Sequence, residues 1–216
     1  MRSRFAATFN HDADAPGYDA DVKGEAHPIR AGYAAVLAWV AETAAIATTH
    51  HVLELGAGTG NLTTLLRRDA AVVAVDISPQ MLLLARAKID AGVTWVHDDL
   101  LGFFDAQTAH FDRVVSTYAI HHLDADEKRM LFARIRDCLL PGGVAVFGDL
   151  MFETALARQQ AQARYRGNGW FDVAGAIELE FFWLLDDCAP ALTQLGLTVA
   201  TRRFSDLSWG LSATLD

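Results

Sequence analysis

The run Val52-Leu53-Glu54-Leu55-Gly56-Ala57-Gly58-Thr59-Gly60-Asn61-Leu62 constrains the fold more than any other feature of the chain. Apolar residues lead into a glycine-rich turn, and a helix-compatible segment from Leu62 to Leu66 follows, its start near Gly60. A second apolar run, Val72 to Val75, then ends on Asp76. Strand, glycine turn, helix, strand and acidic residue, in that order, describe the first half of a doubly wound nucleotide-binding sheet. Each part has a physical reason. Gly56 and Gly58 let the backbone turn sharply and leave no Cβ between it and a ligand. Free N–H groups at the helix start point into the same crevice, where they favour a carboxylate or phosphate. Asp76 is acceptor-only when ionised, so from the tip of the second strand it can take both hydroxyls of a ribose.

The glycine spacing separates ligands. A dinucleotide site wants G-x-G-x-x-G, whereas here Gly60 comes one residue early and Asn61 stands where the third glycine belongs. That departure, and the lack of a residue pair suited to hydride transfer, argue against a nicotinamide-dependent oxidoreductase. The string E-L-G-A-G-T-G-N-L resembles the first motif of the class I S-adenosylmethionine-dependent methyltransferases, and small bacterial members in particular. Three further stretches resemble the same family. They are Val93-Thr94-Trp95-Val96-His97-Asp98-Asp99-Leu100, the segment from Phe111 to His121-His122-Leu123, and Leu139-Leu140-Pro141-Gly142-Gly143 running on to Asp149. The likeness spans about Tyr18 to Leu215 and specifies the cofactor far better than the methyl acceptor.

The resemblance implies S-adenosylmethionine as cofactor and transfer of its methyl group to a small-molecule acceptor. A non-catalytic protein binding the cofactor or its demethylated product would carry the same motifs. It also implies an α/β fold: a doubly wound, seven-stranded, mostly parallel sheet of order 3-2-1-4-5-7-6 with the last strand antiparallel. Asp99 then accepts a hydrogen bond from the adenine amino group and Leu100 supplies an N–H to the ring, with Asp98 the rival for the first role. Glu54, inside the first strand, faces the methionine amino group, or else pairs internally, since a buried acid needs a partner. Tyr18, with Asp19, belongs to an N-terminal segment that folds over the cofactor. The implied cofactor-binding set further takes in Gly56, Ala57, Gly58, Gly60, Asn61, Asp76, Ile77, Met81 and Ser116.

Methyl transfer asks little covalent help of a protein, because the sulfonium already activates the methyl carbon. The nucleophile must be placed in line, water excluded, and a proton removed if the acceptor arrives as a hydroxyl or ammonium. His121, His122 and Asp149 are the candidates for that base. Histidine titrates near neutrality, which suits the task. Against this, an H-H-L ending is common in the resembled family whatever the acceptor, and Asp149 could equally cap a helix or accept buried N–H groups. Trp170, Phe171, Phe181, Phe182 and Trp183 either wall an acceptor pocket or belong to the core.

Composition narrows the classes. The 216 residues fit a single domain, with residues 1–50 an N-terminal lid and helical segment and 151–185 a substrate-side insert. The insert is long for a connection in a compact domain, and such segments usually serve as lids or binding loops. A formal charge of −9 disfavours a nucleic-acid substrate and weakly favours an uncharged or cationic acceptor. Arg158, Arg164 and Arg166 scatter around a helix and are expected in solvent, not in an anion site. Arg67-Arg68 reads as a helix end, where cations suit the macrodipole. No stretch has the roughly 18 apolar residues of a membrane span, and the N-terminus lacks the core of a signal peptide. Cys138 and Cys188, far apart and without metal spacing, read as buried free thiols. A cytoplasmic protein with no metal is expected, and monomer and homodimer are both left open.

Residues 1–10 read as a loose arm and Asn10–Gly17 as a loop. Pro28 is expected to open a helix bearing Tyr33, Val36, Leu37 and Val40. Ser78-Pro79 caps another with Met81, Leu84 and Ala85 on one face. Asp124 and Glu127 form a capping box for a helix to Leu139. Strands are expected near Val52–Leu55, Val72–Val75, Val93–Val96, Arg113–Ser116 and Val144–Phe147. After Asp149, a polar helix from Glu153 to Arg166 is broken at Gly167-Asn168-Gly169, and another begins near Ala176 carrying Phe181, Phe182 and Trp183. A helix ends at Gly196, and Leu197–Phe204 and Leu207–Thr214 form an antiparallel pair.

Overall fold

A computed structural model describes residues 2–66, 69–89 and 92–216. Arg67 and Arg68, expected at a helix end, lie outside the described residues. Five parallel strands form the centre of the sheet: β1 (His51–Leu55), β2 (Ala71–Asp76), β3 (Val93–His97), β4 (Phe111–Thr117) and β5 (Leu139–Phe152). A two-residue strand, β6 (Trp183–Leu184), pairs with the end of β5, and β7 (Leu197–Arg203) and β8 (Ser208–Leu215) complete the sheet. The order is β3-β2-β1-β4-β5-β8-β7, with β8 antiparallel to both neighbours. Setting aside the short β6, this is the expected seven-strand arrangement.

Side chains alternate along each strand and so feed two cores. Leu53, Leu55, Val114, Ala145 and Phe147 pack on one face against α5 (Ala125–Cys138) and α8 (Leu185–Gln194). Val52, Ala74, Val115 and Val146 pack on the other against α2 (Tyr33–Ala44), α6 (Ala155–Gly167) and α7 (Phe171–Leu179). The remaining helices are α1 (Ala15–Asp21), α3 (Pro79–Lys88) and α4 (Phe103–Ala106). Two caps form as expected. Ser78 Oγ accepts from the Met81 N–H at the start of α3, and Asp124 and Glu127 make a reciprocal capping box on α5. Cys138 and Cys188 are buried free thiols, pushed by burial up to about 12 and about 11.

Several local expectations need correction. The helix after the glycine turn shrinks to a single 3-10 turn, Thr63–Leu65. Leu66, at φ −71° and ψ 158°, is already extended and ends the turn. The helix assigned to Pro28 begins at Tyr33, because Gly32 at φ +81° ends a series of turns there. In α3 the buried face is Met81, Leu82 and Ala85, with Leu82 in place of Leu84. The helix expected near Ala176 spans Phe171–Leu179 instead. The Arg158 guanidinium donates to Ile177 O at 3.1 and 2.6 Å, satisfying its last turn. Phe181 and Phe182 thus leave the helix, and Trp183 joins β6. The loop Asn10–Gly17 runs into α1 at Ala15.

The N-terminal arm is docked, not loose. Ser3 N–H donates to Asp99 Oδ1 (3.0 Å), its Oγ to Glu127 Oε2 (3.2 Å), and Arg4 N–H to Glu127 Oε1 (2.7 Å). Phe5 packs on Phe181, ring centroids 4.7 Å apart. These partners lie far along the chain, so no local pattern announces them.

Candidate active site

A cavity of about 690 Å³ opens at the C-terminal ends of the parallel strands, within the size range of small-ligand sites. Its floor begins where β1 meets the glycine turn. Gly56 has φ +74°, and a Cβ there would stand 2.2 Å from Ala119 Cβ. Gly58 has φ +54°, and the position of its missing Cβ is open space at the cavity wall. Only glycine meets both demands readily.

Asp76 sits at the tip of β2 and holds this turn in place. Its Oδ2 accepts from the Gly58 N–H at 2.7 Å and its Oδ1 from the Ser78 N–H at 2.8 Å. Burial raises its carboxyl above the ordinary carboxylate value, while those two N–H groups and the charge of His11 draw it part of the way back. Ala57, Asn61, Ile77 and Met81 line the same cavity. After β3, Asp99 and Leu100 reach the wall, whereas Asp98 accepts from the Asp99 N–H and pairs with Arg2. Asp99 Oδ1 takes three backbone donors, from Ser3, Leu101 and Gly102.

Three residues of the expected cofactor set stand off the wall. Gly60 packs beneath α3, where a Cβ would approach Ala85 Cβ to 3.1 Å. Ser116 Oγ donates to Leu55 O at 2.6 Å, tying β4 to β1. Glu54 is 1% exposed and neither oxygen has a hydrogen-bond partner. Burial pushes Glu54 up to about 8; adjacent Thr63 offsets this only in part, its hydroxyl out of hydrogen-bond geometry. Glu54 thus carries its proton at neutral pH.

Tyr18 lines the cavity from α1, and burial drives its hydroxyl well above the usual phenol range. Its neighbour Asp19 ties α1 to the glycine turn, accepting from Thr59 Oγ1 (2.6 Å) and Asn61 Nδ2 (3.1 Å) and pairing with Lys88 (2.5 Å).

His121, His122 and Glu180 also line the cavity. Asp149, on β5 behind His121, is 1% exposed and does not reach the wall. Its Oδ2 accepts from the Ile120 and His121 N–H groups and Trp183 Nε1, each at 3.1 Å. Its Oδ1 accepts from the Leu150 N–H at 2.8 Å and lies 2.5 Å from His121 Nδ1. A carboxylate surrounded by donors acts as an acceptor, which assigns a proton to Nδ1 of His121 and turns its Nε2 toward Glu180. That Nε2 lies 3.4 Å from Glu180 Oε2. His122 Nε2 lies 3.0 Å from His11 Nε2, and its ring stacks on Phe9. Burial, then the nearby His121 and His11, holds His122 well below the ordinary histidine value.

Sequence reasoning missed several wall residues. Ser3, Phe5, Phe9 and His11 come from the docked arm, Arg30 and Tyr33 from around the start of α2, and Glu180 from the insert. Tyr118, after β4, has φ +50°, an outlier for a bulky side chain. Its ring stacks on Tyr33 at 5.1 Å. None of the five insert aromatics lines the cavity. Phe182 and Trp183 are core, Phe181 packs on the arm, and Trp170 and Phe171 are exposed. The three arginines do not converge there either. Arg158 caps α7, Arg164 pairs with Asp206 and Arg166 with Glu178.

A doubly wound sheet, a glycine turn and an acid at the tip of the second strand are the arrangement of a nucleoside-binding fold, and the relatives place this chain among the methyltransferases. Residues 52–143 match the methyltransferase domain family. Over 203 residues the chain is 33% identical to an uncharacterized methyltransferase of Oceanobacillus iheyensis, covering 92% of each. It is 36% identical over 164 residues to the uncharacterized methyltransferase YrrT of Bacillus subtilis, covering 76% of each. The chain belongs to this family, and S-adenosylmethionine is its cofactor. Its fold is similar to magnesium protoporphyrin IX methyltransferase from Synechocystis with bound S-adenosylhomocysteine (TM-score 0.68, 19% identity, 98% and 99% covered). It is likewise similar to the DhpI–SAM–HEP complex (TM-score 0.67, 22% identity, 96% and 95% covered). The glycine-floored cavity fits the cofactor: open space faces Gly58, and the Asp76 carboxylate stands beside it. Among the described residues no helix is long and apolar enough to cross a membrane.

Proposed function

We propose that this methyltransferase acts on a small-molecule acceptor held at the His121 end of the cavity. The observation that carries the reading is one cavity whose wall holds the glycine turn together with His121, His122 and Glu180, and to which arm residues from Ser3 to Asp21 contribute. A volume of this size suits a metabolite better than a polymer. Glu180 on the wall and the charge of −9 favour an uncharged or cationic acceptor. On this reading residues 1–50 act as the lid and 151–185 as the acceptor-side insert of a single domain.

The cofactor would lie with its ribose on Asp76, its adenine between Ile77, Met81 and Asp99–Leu100, and its methionine end over Gly56–Gly58 beneath Tyr18. That placement would leave the His121 side of the cavity to the acceptor, to which the cofactor would supply its methyl group. There the acceptor's heteroatom would lose its proton, at a histidine whose tautomer Asp149 fixes. Asp149 itself is a positioning residue. The test is a metabolite library screened by thermal shift with S-adenosylhomocysteine present, followed by assay of the hits for release of demethylated cofactor. His121→Ala should then abolish turnover of a confirmed acceptor while leaving S-adenosylhomocysteine affinity within about twofold. Undiminished turnover by that variant would refute the placement.

A further inference from the structure

We propose that His121, His122 and Glu180 form a binding site for a divalent transition-metal ion of borderline softness, such as Zn²⁺, at the acceptor end of the cavity. One ligand atom from each of the three lies within 4.8 Å of the others. Two imidazoles and one carboxylate are the donor set such ions favour, with coordination positions left over for a further ligand.

Three features of the cluster point to a cation between these side chains. The first is a pair of facing acceptors. As a neutral imidazole with its proton on Nδ1, His121 presents a lone pair at Nε2 to Glu180 Oε2 at 3.4 Å. Two lone pairs so placed repel unless a proton or a metal ion lies between them. The spacing also matches the distance of about 3.3 Å between two ligand atoms of a tetrahedral ion with bonds of about 2.0–2.1 Å.

The second feature is the group behind His121. A metal-bound histidine characteristically donates its other ring N–H to a carboxylate, which fixes the ring and makes it a better donor to the metal. Asp149 occupies that position, 2.5 Å from Nδ1, and is itself held by backbone donors and Trp183. The third feature is His122 Nδ1, which is buried and has no hydrogen-bond partner. Buried polar atoms in native proteins are nearly always paired. A second proton on His121 would relieve the His121–Glu180 repulsion but leave this nitrogen unsatisfied, whereas an ion that drew the three side chains together could take His122 through Nδ1.

The sequence carries no metal-ligand spacing, because Glu180 arrives from the insert while the histidines follow β4. The ion's role rests on the proposed placement of the acceptor. With the ion bound, His121 Nε2 is a ligand and no longer the base; a hydroxyl or thiol coordinated there would bind as its conjugate base and release its proton to solvent. Its lone pair then forms the bond to the methyl carbon as the carbon–sulfur bond breaks, leaving the neutral thioether of S-adenosylhomocysteine.

The probe is Co²⁺ added to full-length protein stripped with chelator and dialysed. Visible d–d absorption should appear at one equivalent and be displaced by Zn²⁺. Glu180→Gln, nearly isosteric and on a half-buried residue, should weaken Co²⁺ binding at least about tenfold, as should His121→Ala. Asp149→Asn should weaken it about tenfold through His121. Absence of the bands together with no Zn²⁺ uptake overturns the inference, and so does a spectrum unchanged by Glu180→Gln. Full turnover by chelator-treated protein, with His121→Ala inactive, removes the metal and leaves the acceptor placement standing. Co²⁺ binding lost in both variants, with turnover undiminished by His121→Ala, keeps the metal and removes that placement.

Discussion

Replacing Asp76 with alanine tests cofactor recognition and turn geometry together. Two ribose hydroxyls bound to this carboxylate should contribute about 1.5–3 kcal/mol each. Their loss predicts a fall in affinity of roughly 10²- to 10⁴-fold. The lower end is expected, because water can reach the vacated position from the cavity and serve the hydroxyls in part. The same water limits the damage to the fold. The N–H groups of Gly58 and Ser78 lose their acceptors, and at a cavity wall this should cost about 1 kcal/mol each. The measurement is calorimetric titration with S-adenosylhomocysteine, with thermal unfolding of both proteins run beside it. Asp76→Asn serves as a second variant: it retains one acceptor for the turn but sets an amide donor against the other N–H. Both should stay folded at 25 °C and bind at least tenfold more weakly. The raised carboxyl value adds a pH signature. Binding needs the ionised form, so wild-type affinity should fall on acidification earlier than for an ordinary aspartate. A folded Asp76→Ala protein with unchanged affinity would falsify the assignment of the ribose to this residue.

The two turn glycines should separate. Gly56→Ala should fold poorly, since its Cβ meets Ala119 at 2.2 Å, whereas Gly58→Ala meets no protein atom and should lose about 1–2 kcal/mol of stability with most of its cofactor affinity; equal melting temperatures would refute the distinction. Asp99→Ala should weaken S-adenosylhomocysteine binding more than Asp98→Ala, because only Asp99 reaches the cavity wall; the reverse order in calorimetry would place the adenine on the other acid. Glu54, held protonated up to about 8 against 4.5 in the open chain, contributes stability that is full below pH 4.5 and is lost as pH rises through 8. Glu54→Gln should therefore lose less stability than wild type between pH 5 and 8.5 in denaturant titrations, and parallel pH profiles would count against the burial of an unpaired acid.

What the sequence disclosed was what neighbouring residues determine. The glycine turn, the cap at Ser78 and the box at Asp124–Glu127 are contiguous patterns with local causes, and each formed as read. Asp99 lines the cavity and Asp98 does not, although both lie past the end of β3 at His97, where strand alternation no longer applies. Between Leu62 and Leu66 the helical reading failed, since one 3-10 turn forms there and Leu66 is already extended. Distance in sequence concealed the rest. Nothing around Ser3 signals Asp99 or Glu127, and nothing around Glu180 signals His121. The unusual backbone of Tyr118 left no mark in the sequence, since tyrosine is not the residue that geometry favours.

The docked arm has a consequence in time. Ser3 is fastened to Asp99, Asp12 to Ser78 Oγ, Asp19 to Thr59 and His11 to His122. These four anchors reach from the end of β3 and the glycine turn to the loop after β4. With residues 1–50 acting as the lid proposed above, release of one anchor would load the other three, and arrival of the two reactants and departure of the two products would be linked events on one clock.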